Sequence, residues 1–158
     1  MRRRAVVAVM SLLAALAMPV SAQASPAACA RTVSVNSIRG LEGSGDTLTT
    51  FTFKVTSDGC ANEGTVAYRT VPGSAQPKLD YVPTESRLTW TKGDTSARGI
   101  DISVIPDKTR EHDETFCVEL IPPADGSVVI GRDSTGVATI LDDDDKSGTP
   151  QKGFVCQQ

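Results

Sequence analysis

The segment Ile140-Leu141-Asp142-Asp143-Asp144-Asp145 places four consecutive carboxylates at the end of an alternating apolar stretch. Like charges side by side repel, so a folded chain holds such a run only where water solvates it, cations pair with it or a metal ion sits in it. A second acidic group, Asp107, Glu111, Asp113 and Glu114, lies about one long hairpin earlier. Calcium takes roughly six to eight oxygens at about 2.3–2.6 Å, and no single short loop here offers that many. If the fold joins the two groups, the metal reading is favoured over solvation.

The remaining chemistry-bearing residues point away from catalysis. His112 is the only histidine and sits among acids. A Ser-His-Asp triad would need it beside a nucleophile on a preorganised turn, and no Gly-x-Ser-x-Gly elbow exists. Asp113 and Glu114 are adjacent carboxylates, but an acidic loop in a chain with a single tryptophan, Trp90, provides no sugar-binding cleft. The reading is a binding module and not an enzyme.

The elements that position these acids begin after a leader. Arg2, Arg3 and Arg4 precede an apolar run from Ala5 to Val20, followed by Ser21-Ala22-Gln23-Ala24. That is a charged n-region, an h-region and a small-residue cleavage site, with cleavage expected after Ala24. The run is too short and wrongly flanked for a membrane span, and no second segment of spanning length follows. Residues 1–24 are therefore read as a signal peptide, 25–31 as an N-terminal segment, 32–145 as one domain and 146–158 as a polar C-terminal tail. The destination is secreted or periplasmic.

Loss of the three leader arginines leaves 13 basic residues against 19 acidic ones and moves the formal charge from -3 to -6. That argues against nucleic acid or anionic lipid as a partner and suits cations or basic surfaces. All four cysteines, Cys29, Cys60, Cys117 and Cys156, follow the cleavage site. An even count in an exported chain implies two disulfides, and without a CxxC pair zinc and redox readings lack support.

From Thr32 onward the dominant signal is period-two alternation rich in Thr and Val, punctuated by Gly, Pro, Asn and Asp. Seven strands are predicted at 32–39, 48–57, 64–71, 86–91, 97–106, 115–121 and 135–142. Phe51, Phe53 and Val55 share one face, as do Ile100, Ile102 and Val104, and Phe116, Val118 and Leu120. In the last strand the inward set is Val137, Thr139 and Leu141 or their alternates. Trp90 is read as a core or half-exposed strand residue. The fold class is all-β, a seven-stranded immunoglobulin-like antiparallel β-sandwich.

With the strands in place, the chain resembles a Calx-beta domain over about Val33 to Asp145. The resemblance is carried by Glu42-Gly43-Ser44-Gly45, Val66-Ala67-Tyr68-Arg69-Thr70, Leu79-Asp80-Tyr81-Val82-Pro83 and Leu88-Thr89-Trp90 with Lys92-Gly93-Asp94. It continues through Ile102-Ser103-Val104-Ile105-Pro106-Asp107, Glu111-His112-Asp113-Glu114-Thr115-Phe116 and Val137-Ala138-Thr139-Ile140-Leu141-Asp142-Asp143-Asp144. The resemblance implies a sandwich with calcium sites clustered at one end. Carried over by position, the ligands become Glu42, Asp80, Asp107, Glu111, Glu114, Asp142, Asp143 and Asp144. The family's run of Asp after the fifth strand is here Pro106-Asp107-Lys108, which implies one or two calcium ions instead of a full cluster.

Strand neighbours then pair the cysteines. The start of the first strand lies beside the end of the second, which predicts Cys29–Cys60. The start of the sixth lies beside the end of the seventh, which predicts Cys117–Cys156 with Cys117 pointing outward and reachable. The functional expectation is a calcium-binding module with a structural or adhesive role toward a protein or cell-surface partner. The alternative is a metal-free, disulfide-stabilised domain whose acidic pole meets a basic partner.

Overall fold

The computed structural model describes residues 29–144 and Cys156. The leader at 1–24, the run's last carboxylate Asp145 and the tail apart from Cys156 lie outside the described residues.

Among the described residues nine strands form two facing sheets: β1 Arg31–Val35, β2 Ile38–Leu41, β3 Thr49–Gly59, β4 Gly64–Pro72, β5 Glu85–Trp90, β6 Arg98–Val104, β7 Glu114–Ile121, β8 Val128–Ile130 and β9 Thr135–Leu141. One sheet has the order β6-β3-β1-β8 and the other β2-β9-β7-β4-β5. The expected alternation holds where one face of a strand meets the interior. Phe51, Phe53, Val55, Ile100, Ile102, Val104, Phe116, Val118 and Leu120 are all buried. In β9 the inward set is the alternates, Gly136, Ala138 and Ile140.

Two features depart from the seven-strand expectation. The first predicted strand is two, because the chain crosses between sheets at Asn36-Ser37. There the Asn36 amide donates to the Lys54 carbonyl at 3.2 Å, Asn36 Oδ1 accepts from the Lys54 amide at 2.6 Å, and Ser37 Oγ accepts from the Val137 amide at 3.0 Å. These short polar side chains satisfy backbone groups that neither ladder reaches. The crossing passes so close to β9 that a Cβ at Gly136 would lie 2.3 Å from the Asn36 carbonyl oxygen. The second feature is β8, three residues long and too short to show a period. Both β1–β8 and β2–β9 pair in parallel, so the sandwich is antiparallel except at these two ladders.

The core centres on Phe116, which stacks on Tyr81 at 4.4 Å between centroids and meets Phe53 edge-on at 6.1 Å. Tyr81 and Phe116 each lie within two residues of a candidate ligand, Asp80 and Glu114, so aromatic packing fixes the backbone from which both carboxylates project.

At the opposite end Trp90 is fully buried and donates from Nε1 to the Ser96 carbonyl at 2.8 Å. The guanidiniums of Arg31 and Arg98 lie over its ring, each 5.3 Å from the centroid. Arg31 is itself fully buried and donates to the carbonyls of Asn62 and Asp94 and to Ser57 Oγ. Arg31, the last residue of the expected N-terminal segment 25–31, is the first residue of β1.

Cys29 is bonded to Cys60 and Cys117 to Cys156. As expected, the Cys117 side chain leaves β7 on the face opposite Phe116 and Val118, where Cys156 reaches it; with that bond in place Cys117 is fully buried and Cys156 nearly so.

Candidate metal centre

Glu42 follows β2 directly, and its amide donates to the Leu141 carbonyl at 3.1 Å, so the parallel β2–β9 ladder brings it to the end of the Asp run. The Thr49 hydroxyl donates to the Glu42 carbonyl from the start of β3. Asp80 is set by a tight turn in which its Oδ2 accepts from the Gln76 amide at 2.5 Å. The Ile105 amide donates to the Asp80 carbonyl at 2.9 Å, which ties that turn to the end of β6. Asp107 closes the next loop by accepting from the Thr109 amide at 2.5 Å.

Four separate segments therefore bring carboxylates to one pole, where they divide into two groups of three. Glu42, Asp107 and Asp144 offer oxygens that all lie within 4.8 Å of one another, and so do Asp80, Glu111 and Glu114. Six of the eight predicted ligands fall in these groups. The other two are placed differently. Asp142 spends Oδ1 on the Asp144 amide at 2.9 Å and Oδ2 on the Glu111 amide at 3.0 Å. Asp143 accepts from the Gly43 amide at 3.0 Å. Asp113 of the second acidic group joins neither trio, and His112 is exposed.

The electrostatics are those of crowded acids. Burial, followed by the charges of Asp107, Asp142, Asp144 and Glu111, raises the Glu42 carboxyl from 4.5 to about 7. Glu114 is also pushed up, by burial and then by a hydrogen bond shared with Asp80 and by the Asp80 charge. Glu111 rises through burial and then Asp107. Asp144 rises through burial and its neighbours Asp142 and Asp143, with Lys108 acting against them.

The donor set fits a hard divalent cation. All six groups offer carboxylate oxygen, and neither nitrogen nor sulfur intrudes, which suits calcium over zinc or copper. Glu42 is only 7% exposed, and its Oε1, like Asp144 Oδ2, is buried with no hydrogen-bond partner. Buried polar atoms without partners are rare in native structures, and two of them fall in one carboxylate trio that could hold a cation. Sequence reading missed the supporting shell: Thr49, Gly43 and the Gln76 amide carry no chemical signal until the loops converge. Among the described residues no helix is long and apolar enough to cross a membrane.

Comparison with known proteins agrees with this architecture. A 61-residue stretch, 38% of this chain, is 46% identical to the adhesion G-protein coupled receptor V1 of Danio rerio, of whose length it spans 1%. Among solved structures, the apo-form Calx CBD1 domain superposes with a TM-score of 0.61 at 24% identity, over 72% of this chain and 98% of that one. The calcium binding domain CBD12 of CALX1.1 superposes with a TM-score of 0.63 at 27% identity, over 71% of this chain and 46% of that one. The family model described as the Calx-beta domain matches residues 32–144, most of the chain, and the protein accordingly belongs to the Calx-beta domain family.

Proposed function

We propose that this is an exported Calx-beta binding module that holds one or two calcium ions at its acidic pole and serves a structural or adhesive role. The observation that carries the reading is the pair of buried, unpartnered oxygens, Glu42 Oε1 and Asp144 Oδ2, within a carboxylate trio. Glu42, Asp107 and Asp144 would hold one ion, and Asp80, Glu111 and Glu114 a second. Asp142 and Asp143, also expected as ligands, contribute by orienting the Glu111, Asp144 and Gly43 amides.

Bound calcium supplies positive charge that offsets the mutual repulsion of the acids. It stabilises the fold by linkage, because the unfolded chain scatters the four ligand-bearing segments. Two disulfides and a leader over 1–24 support secretion or delivery to a periplasm. Likeness to part of an adhesion receptor supports an interaction role, with a protein or cell surface as partner.

Isothermal titration and thermal melts in calcium against chelator test the proposal. Heat of binding and a raised melting temperature are expected. No heat at millimolar calcium together with an unchanged melt would leave the acidic pole as a metal-free surface.

A further inference from the structure

Apolar side chains are not spread evenly over this domain. Among the described residues five large hydrophobics are exposed: Leu41, Leu48, Leu79, Val82 and Val129. Leu41 at 54% precedes Glu42, and Leu79 at 63% precedes Asp80, so each flanks one carboxylate trio. Leu48, at 50%, borders a shallow hollow of about 350 Å³ together with Pro106, Asp107 and Lys108. Val129 lies away from this end, on β8.

We propose that the calcium-loaded pole docks on a zwitterionic phospholipid surface, with Leu41, Leu48 and Leu79 entering the apolar layer around the cation sites. The proposal rests on the calcium reading above and adds a partner to it. Three carboxylates per ion leave coordination positions that lipid phosphate oxygens can fill, since calcium takes roughly six to eight oxygens. The eight acidic residues carry more charge than two divalent ions offset, so the loaded pole stays acidic and disfavours an anionic bilayer. A phosphocholine or phosphoethanolamine headgroup matches both features, offering phosphate to the ion and a cationic group to the remaining carboxylates. The leucines are exposed and lie next in sequence to candidate ligands or beside the Asp107 hollow, an arrangement that a deformable lipid layer accepts without a preformed pocket.

The test is co-sedimentation of the whole mature protein with vesicles of equal parts phosphatidylcholine and phosphatidylethanolamine, in calcium and in chelator, beside a calcium isotherm in solution. Sedimentation in calcium, release by chelator, and at least a tenfold weaker partition for the triple variant Leu41→Ser, Leu48→Ser, Leu79→Ser are expected, since burying a leucine contributes about tenfold or more. The variant's calcium isotherm should match the wild type. A protein that binds calcium but stays in the supernatant overturns the docking and leaves a protein partner for this pole. Sedimentation that the variant retains overturns the role of the leucines. A flat calcium isotherm removes the calcium reading first and the docking with it.

Discussion

The Asp143 carboxylate accepts a hydrogen bond from the Gly43 amide at 3.0 Å and so ties the end of β9 to the turn after β2, 100 residues away in sequence. Gly43 holds φ at 87°, and a Cβ there would lie 3.1 Å from Thr49 Oγ1, the hydroxyl that donates to the Glu42 carbonyl. Gly43→Ala therefore strains the turn that presents Glu42. A loss of about 1–2 kcal/mol is expected in denaturant unfolding under chelator, with weaker calcium binding. Equal stability would show that the turn relaxes without moving Glu42.

Replacing Asp142, Asp143 and Asp144 together by Asn removes a carboxylate of one trio and the amide acceptors beside both. The calcium-dependent rise in melting temperature should vanish, whereas the wild type gains about 3 kcal/mol at a hundredfold excess of calcium over Kd. In chelator the relief of repulsion opposes the loss of one Asp142 acceptor, so the variant should melt close to the wild type. A retained calcium shift would move the site elsewhere.

The raised carboxyls give the metal-free protein a pH dependence of definite sign. A carboxyl at about 7 in the folded chain and 4.5 unfolded binds its proton more tightly when folded. Its contribution is fully present below about pH 4.5 and is lost as pH rises through about 7; Glu114 shifts in the same direction. Glu42→Gln lacks this loss. In chelator, its stability relative to wild type should climb between about pH 5 and 8, and saturating calcium should reverse the order at the upper end. A pH-independent difference measured by chemical unfolding would contradict the crowding of Glu42.

The disulfides differ in exposure and should differ in reactivity. Cys29 is exposed and Cys60 half-buried, whereas Cys117 is fully buried beneath Cys156. Mild reductant followed by alkylation and mass mapping should find Cys29–Cys60 opened first. Removing either bridge, by paired Ser substitution, should cost about 2–4 kcal/mol, given separations of 31 and 39 residues.

Arg31 offers a control at the far end. Arg31→Ala leaves the Asn62 and Asp94 carbonyls without their donor and uncovers one face of Trp90. A loss of about 2–4 kcal/mol is expected in urea unfolding, with calcium affinity unchanged. A changed affinity would mean that the two poles are coupled.

Much of the scaffold is readable from side-chain period. Phe51-x-Phe53-x-Val55 and Ile100-x-Ile102-x-Val104 alternate cleanly, because each strand has one face in the core and one in water. In β9 both registers are apolar, Val137 and Leu141 against Ala138 and Ile140, so alternation alone left the inward face open. The break between β1 and β2 was hidden for a related reason: nothing at Asn36-Ser37 marks which sheet each half will join. That choice is made by β8 and β9, whose parallel partners lie about a hundred residues away.

By itself the sequence determined the family, the all-β scaffold and which segments supply acids, since these depend on residue type, order and period. Only the tertiary structure decided how the carboxylates divide: Glu42 with Asp107 and Asp144, Asp80 with Glu111 and Glu114. It alone turned Asp142 and Asp143 into supports for backbone amides. Distances between oxygens on four separate loops follow from the way those loops are anchored by Tyr81, Phe116 and the β2–β9 ladder, and no local pattern encodes that convergence.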